Sequence, residues 1–156
     1  MRAAAARPRV LVVGCGAMGA IFAARLAGVA EVVAYDTQSA HVAAIRADGL
    51  RVTGVSEQPV RLQATDRAED LAGAPFDHVL LLVKSAQTGA AARALLPHVR
   101  TRPLWVTLQN GMGNSEQLLA LPGVRVARGV SMAAGRYCGP GVVEQLVQGG
   151  ASWLGP

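Results

Sequence analysis

The chain has 156 residues, the length of a single domain, and is long enough to bury a sizeable core. Hydrophobic residues make up 51% of it and charged residues 16%, and the formal net charge is +5. The basic residues are scattered and no aromatic residues lie between them, which argues against a nucleic-acid-binding face. Two cysteines and three histidines without metal-ligand spacing predict neither a disulfide framework nor a metal site, and a reducing cytoplasm is the expected location.

The first half of the chain predicts alternating buried strands and helices. "RVLVV" at 9–13 is an apolar strand, "GCGAMG" a turn that opens a helix to about residue 27, and "EVVAYD" at 31–36 a second strand. Residues 10–30 are apolar enough for a membrane span, but the four glycines within them favour strand, turn and helix. Ser39 is expected to cap a helix that ends at Asp48 and Gly49. "LRVTG" and "PVRLQA" predict short strands that a hairpin could join.

The second half repeats the pattern. "RAEDLAGA" predicts a short helix or turn, "HVLLLVK" a buried strand, and "AQTGAAARALLPHV" a helix broken near Pro97. "PLWVTLQ" is another buried strand, followed by the turn "NGMGN" and a short helix in "SEQLLALPG". "VRVARGVSMAA", "GVVEQLVQ" and "ASWLG" predict antiparallel strands. The pattern indicates an α/β fold in one domain, 1–156: a Rossmann-like, doubly wound, mostly parallel sheet with antiparallel additions near the C-terminus.

The turn after the first strand fits the pattern G-x-G-x-x-G. Glycines at these positions permit a tight turn, close approach of the backbone to a pyrophosphate, and close helix–strand contact. The helix that follows offers free N–H groups and the positive end of its dipole to phosphates. The candidate dinucleotide-binding residues of this loop are Gly14, Cys15, Gly16, Ala17, Met18 and Gly19. Two alternatives remain open: a turn needed only for packing, and a loop that binds S-adenosylmethionine.

Asp36 follows the glycine loop by about twenty residues, at the end of the second predicted strand. A carboxylate there can accept a hydrogen bond from a ribose 2′-hydroxyl and repels a 2′-phosphate. The residue therefore favours NAD over NADP, although Gln38, Ser39 or Arg46 could still contact a phosphate.

Lys84 is the one lysine beside fourteen arginines, and it ends a buried strand. Asn110 follows the next strand of this type. Because ligands of open α/β sheets bind at the carboxyl ends of the strands, both residues can face the crevice at the glycine loop. Lys84 could reach a phosphate or ribose, and Asn110 could hydrogen-bond a nicotinamide or a substrate carbonyl. The alternative for Asn110 is a turn residue in a left-handed conformation.

Five segments together resemble the ketopantoate reductase (2-dehydropantoate 2-reductase) family: "GCGAMG", "HVAAIRADGLRV", "LLLVKSAQT", "LQNGMGNSEQL" and "GVSMAAGRYCGPGVV". They occur in the family's order and spacing and span most of the chain. The resemblance implies NADPH-dependent reduction of 2-dehydropantoate to pantoate, a step in pantothenate and coenzyme A biosynthesis. It also implies that Lys84, Asn110 and Gly135 line the dinucleotide site and that Asn110 touches the substrate.

Two departures from the family qualify this resemblance. "YDTQSAH" lacks the arginine that usually binds the 2′-phosphate, so the expected cofactor is NADP or NAD. The family's helical second domain, which supplies the general-acid lysine, is expected to be absent, and none of the three histidines is a good substitute. We therefore expect a cofactor-binding part that is not catalytically complete alone and that forms a homodimer or another association through a bared apolar face. The alternatives are a stand-alone, non-catalytic dinucleotide sensor and a methyltransferase-type fold.

Overall fold

The computed structural model, which describes residues 6–56, 58–99, 101–147 and 150–155, contains short strands that alternate with helices. The strands are β1 (Arg9–Val13), β2 (Glu31–Tyr35), β3 (Arg51–Thr53), β4 (Gln63–Thr65), β5 (His78–Leu81), β6 (Leu104–Thr107), β7 (Arg125–Ser131), β8 (Ala134–Gly139), β9 (Val142–Val147) and β10 (Ser152–Gly155). The α-helices are α1 (Ala17–Leu26), α2 (Ser39–Asp48), α3 (Thr88–Leu95) and α4 (Asn114–Leu119), and short 3-10 helices lie at Ala68–Leu71 and Ser85–Gln87.

Seven strands form the central sheet in the order β10-β7-β6-β5-β1-β2-β4. All neighbouring pairs are parallel except β10 and β7, which are antiparallel. This topology confirms the predicted Rossmann-like, doubly wound sheet. The strand order reverses between β1 and β5, and the carboxyl ends of strands at such a switch point are where open α/β sheets bind ligands.

Residues Val10 to Val13 of β1 are buried on both faces of the sheet, which explains why they are continuously apolar rather than alternating. Val10 and Val12 pack with Ile21 of α1 on one side of the sheet. Leu11 and Val13 pack on the other side, in a cluster that contains Trp105 of β6, which is 1% exposed. Both layers therefore hold the carboxyl end of β1 rigidly in the middle of the sheet.

A second, three-stranded sheet in the order β3-β9-β8 lies against α1. A Cβ atom at Gly135 of β8 would lie 2.6 Å from Cδ1 of Ile21 and 3.4 Å from the carbonyl oxygen of Ala17. The small residue at this position therefore allows the second sheet to approach the helix that follows the glycine loop.

Two expectations about strands were wrong, and one strand was missed. β7 pairs in parallel with β6, because α4 crosses over between them, and the antiparallel addition to the central sheet is β10 alone. β8 was not predicted, although it and β9 form an antiparallel pair. β3 and β4 do not form a hairpin: one isolated bridge joins Leu50 to Val60, after which β3 pairs with β9 and β4 pairs with β2.

The start of helix α2 also differs from the prediction. Helix α2 begins at Ser39 itself, and no side chain caps it. The Ser39 hydroxyl instead hydrogen-bonds the Asp66 carboxylate, which contributes to lowering the pKa of that carboxyl group. The other end of α2 is as predicted, because Gly49 follows it with a φ of +85° that favours glycine. None of the helices in the described ranges has both the length and the apolar character needed to cross a bilayer.

Candidate functional site

A cleft of about 520 Å³ opens at the carboxyl ends of β1, β2 and β5, at the switch point of the sheet. It contains members of three sequence-predicted groups: the glycine loop, the residue after β2 and the residue after β5. The lining residues are Val13, Gly14, Gly16, Tyr35, Asp36, Thr37, Gln38, Leu82, Val83, Lys84, Gln87, Ala90, Ala91 and Ala94. The fold thus brings together residues that lie as far apart in the chain as Val13 and Ala94.

Two glycines of the loop are required by the protein itself. Gly14 has a φ of +83°, and a Cβ atom there would lie 2.8 Å from the backbone nitrogen of Val83. A Cβ atom at Gly19 would lie 1.7 Å from the carbonyl oxygen of Gly14. These residues form the tight turn and the close contact between α1 and the loop that the sequence pattern predicts.

The middle glycine, Gly16, is not required by packing. Its φ of −67° is open to other residues, and a Cβ atom there would meet no atom within 4 Å. It lines the cleft immediately before α1, whose N-terminus has no side-chain cap. The first-turn N–H groups of this helix are therefore oriented for a bound anion, and the missing side chain leaves room for one to approach the backbone.

Asp36 stabilises the glycine loop by accepting hydrogen bonds from backbone N–H groups. The backbone N–H of Cys15 donates to its Oδ2 atom at 2.8 Å, and the backbone N–H of Gln38 donates to Oδ1 at 2.9 Å. The residue is only 8% exposed, yet it lines the cleft. Since each carboxylate oxygen has two lone pairs, both retain capacity for a hydroxyl donor such as a ribose.

Cys15 lies in the loop as a small buried side chain. Burial, and secondarily the charge of Asp36, raises the pKa of its thiol to about 12. The thiol is therefore protonated at neutral pH and is not a nucleophile.

Lys84 lies on the opposite wall of the cleft, just after β5. Its side chain is exposed, and no described residue forms a hydrogen bond or ion pair with its ammonium group. It is also the one basic residue among the described residues that line this cleft. Arg46, considered above as a phosphate ligand, does not line the cleft: its Nε donates to the carbonyl oxygen of Ala64 at 2.8 Å, and it pairs with Asp70.

Asn110 lines a neighbouring hollow of about 600 Å³ at the carboxyl ends of β6 and β7, together with Gly111, Met112 and Trp153. The Ser85 hydroxyl donates to the Asn110 carbonyl oxygen at 3.0 Å, so the loops that carry Lys84 and Asn110 are joined. Gly135 lines neither cavity and packs against α1. A role of Gly135 in the dinucleotide site therefore remains a prediction.

A buried polar chain that the sequence did not suggest reinforces this link. Gln109 Nε2 donates to the Thr88 hydroxyl at 2.9 Å, which donates to Asn114 Oδ1 at 3.1 Å. Asn114 Nδ2 then donates to the Asn110 carbonyl oxygen at 3.1 Å. Thr88 and Asn114 are almost fully buried, and every bond in the chain has a consistent donor and acceptor.

The fold and the cleft define a Rossmann-like domain with a G-x-G-x-x-G loop at the switch point of its sheet. The family model for ketopantoate reductase PanE/ApbA matches residues 10–156. The chain is 33% identical over 137 residues to a 2-dehydropantoate 2-reductase of Pyrococcus horikoshii, a match that covers 87% of this chain and 44% of that protein. It is 35% identical over 152 residues to the protein of the same name from Halobacterium salinarum, covering 94% of this chain and 48% of that protein. The chain belongs to the ketopantoate reductase PanE/ApbA family.

Solved structures agree with this assignment. A PanE/ApbA family ketopantoate reductase from Ralstonia eutropha JMP134 matches with a TM-score of 0.80 at 33% identity, over 90% of this chain and 47% of that one. D-mandelate dehydrogenase in complex with NADH and anilino(oxo)acetate matches with a TM-score of 0.82 at 22% identity, over 94% of this chain and 47% of that one, which shows the fold alone. The chain spans about half the length of the relatives that it matches.

Proposed function

We propose that this chain is the nicotinamide-dinucleotide-binding part of an oxidoreductase that reduces 2-dehydropantoate, or a related 2-oxo acid, to the 2-hydroxy acid. The observation that carries the proposal is Gly16, a glycine that lines the cleft and that neither packing nor backbone conformation requires. The relatives named 2-dehydropantoate 2-reductase support the substrate class and a place in pantothenate biosynthesis. Both cysteines are unpaired, as is usual in a reducing cytoplasm, where we expect the protein to act.

Each group in the cleft has a role that follows from its chemistry. The N–H groups of the first turn of α1 bind the pyrophosphate, and Asp36 accepts hydrogen bonds from ribose hydroxyls. Lys84 contributes the positive charge on the opposite wall and contacts a phosphate or a ribose. Asn110, in the neighbouring hollow, donates to and accepts from the carboxamide or the substrate carbonyl. The bound nicotinamide would supply the hydride.

The general acid for the developing alkoxide belongs to no residue that we assign in this chain. Cys15 is excluded by its raised pKa, and Lys84 already faces the dinucleotide cleft. We propose that this acid lies in the part of the relatives that the match does not cover. Catalysis by residues 1–156 alone is therefore not expected, and reduction of 2-dehydropantoate by this chain alone would contradict that assignment.

NADH is the cofactor that we expect to bind more tightly. Asp36 would repel a 2′-phosphate, and Arg46, the basic residue nearest to it in sequence, is engaged by Ala64 and Asp70. Thr37 and Gln38 line this side of the cleft without a positive charge. A 2′-phosphate would therefore lose the charge-assisted hydrogen bonds that NADP-binding sites provide.

A fluorescence titration of the purified chain with NADH and NADPH tests the proposal. We expect saturable binding with NADH preferred, and about tenfold to a hundredfold weaker binding by Lys84→Gln, because one charge-assisted hydrogen bond contributes about 1.5–3 kcal/mol. Arg25→Gln is the control, since it removes the same charge from the end of α1 remote from the cleft. Absence of binding to either dinucleotide would overturn the proposal, and equal loss in both variants would remove Lys84 from the site.

An apolar strip along the β7–β10 pair has a consequence for assembly. Val130, Met132, Trp153 and Leu154 are each more than half exposed, and β10 is an edge strand of the central sheet. Exposed apolar edges favour association with a second copy. We expect this 156-residue chain to form dimers in sedimentation velocity, Trp153→Lys to be monomeric, and Val29→Lys, at an exposed apolar site elsewhere, to remain dimeric. A wild-type monomer at all concentrations would contradict this expectation.

A further inference from the structure

His41 is a fully buried imidazole that the proposed chemistry does not use. It lies in the first turn of α2, and both of its ring nitrogens bind backbone groups from other parts of the fold. Nε2 lies 2.7 Å from the carbonyl oxygen of Cys15 in the glycine loop. Nδ1 lies 2.9 Å from the backbone nitrogen of Gly141, in the turn between β8 and β9.

These two partners determine the protonation state of the ring. The Cys15 carbonyl can only accept, so Nε2 must carry a proton and donate it. The Gly141 N–H can only donate, so Nδ1 must be unprotonated and accept. Both bonds therefore require the neutral Nε2–H tautomer. A second proton on Nδ1 would place two donors against each other and break the bond to Gly141.

The bonds of His41 complete the support of one peptide segment. Asp36 accepts from the N–H of Cys15, and His41 donates to the carbonyl oxygen of the same residue. Cys15 is thus held on both sides, which orients the peptide groups that lead into Gly16 and α1. Because Gly141 is in turn bonded to Arg51 of β3, the ring also ties the glycine loop to the second sheet.

We propose that neutral His41 is a positioning residue that holds the glycine loop in its phosphate-binding conformation, so that dinucleotide affinity decreases when its two hydrogen bonds are removed. The inference rests on the proposed function, because it assumes that the loop binds a dinucleotide. It adds to that function a contact between the glycine loop and the second sheet. The residue lines neither cavity, so its effect on the cleft passes through the Cys15 carbonyl, while the bond from Gly141 orients the ring.

The other polar groups near the ring are accounted for by their own contacts. The Tyr137 ring meets it edge-on, with ring centroids 5.2 Å apart, and burial raises the pKa of this phenol. The Cys15 thiol has a pKa raised to about 12, and the Asp36 carboxylate is engaged by two N–H groups. On the second sheet, Arg136 and Glu144 pair with each other.

Fluorescence titrations with NADH test the inference. We expect His41→Gln to bind about tenfold more weakly than the wild-type chain. Val42→Ala is the matched control, because it removes buried packing from the same helix but no hydrogen bond to the loop. His98→Gln, at a remote histidine, should retain the wild-type affinity. Equal losses in His41→Gln and Val42→Ala, or wild-type affinity in His41→Gln, would overturn the inference.

Nitrogen NMR of the imidazole provides a test that needs no variant and no ligand. We expect His41 in the wild-type chain to show a protonated Nε2 and an unprotonated Nδ1 at pH 8. The opposite tautomer, or a doubly protonated ring at that pH, would overturn the inference. If the wild-type chain binds no dinucleotide, the proposed function fails, whereas the ring spectrum still tests the two hydrogen bonds that join His41 to Cys15 and Gly141.

Discussion

Replacing Gly16 by alanine is expected to lower the affinity for NADH by about tenfold to a hundredfold while leaving the folded protein intact. The added methyl group meets no protein atom within 4 Å, so the free energy of unfolding should change by no more than about 0.5 kcal/mol. The methyl would instead occupy the space in which a pyrophosphate approaches the backbone, and an overpacked contact costs about 1–3 kcal/mol. Fluorescence titration measures the affinity, and thermal unfolding measures the stability.

Gly28→Ala is the matched control for this variant. Gly28 lies in the turn after α1, on the side of the sheet away from the cleft, where a Cβ atom makes only an ordinary contact with the Arg25 carbonyl oxygen at 3.5 Å. It should leave both affinity and stability at wild-type values. If Gly16→Ala also binds NADH as tightly as wild type, the glycine loop does not contact a phosphate, and the proposed function loses its main support.

The second large effect is on stability rather than on binding: replacing Gly19 by alanine should impair folding. Its Cβ atom would lie 1.7 Å from the Gly14 carbonyl oxygen, far inside the contact distance of any two atoms. The loop cannot move away from this clash easily. The Gly14 N–H donates to the Tyr35 carbonyl oxygen at 2.9 Å, and Val83 packs closely against Gly14. We expect a loss of about 3 kcal/mol or more in the free energy of unfolding, at the upper end of overpacking effects.

Urea denaturation followed by circular dichroism measures this loss. The same Gly28→Ala variant shows how much a glycine-to-alanine change costs where no clash arises. A Gly19→Ala protein as stable as wild type would mean that α1 and the loop are less closely packed than the structure indicates. The two variants of one motif thus have different expected signatures: loss of binding with stability retained for Gly16, and loss of stability for Gly19.

The strands and the glycine loop could be predicted because their signals are local. In "RVLVV" the four residues after Arg9 are all apolar because both faces of β1 are covered, and the spaced glycines that follow mark the turn into α1. Lys84 and Asp36 could be predicted as residues of one cleft because the carboxyl ends of parallel strands share one edge of a sheet. The antiparallel assignment of β7 was wrong, although the helix predicted before it already implied a parallel crossover.

What the sequence by itself determined is the class of fold and the edge of the sheet where a ligand binds, since strand periodicity, glycine spacing and residue order are properties of neighbouring positions. Only the tertiary structure decided how that edge is supported. The bonds from His41 to Cys15 and Gly141, the diversion of Arg46 to Ala64, and the pairing of β3 with β9 all join residues that are distant in the chain. Such contacts depend on side-chain direction and on which elements become neighbours. Neither of these produces a periodic pattern in the sequence that could have been used to predict it.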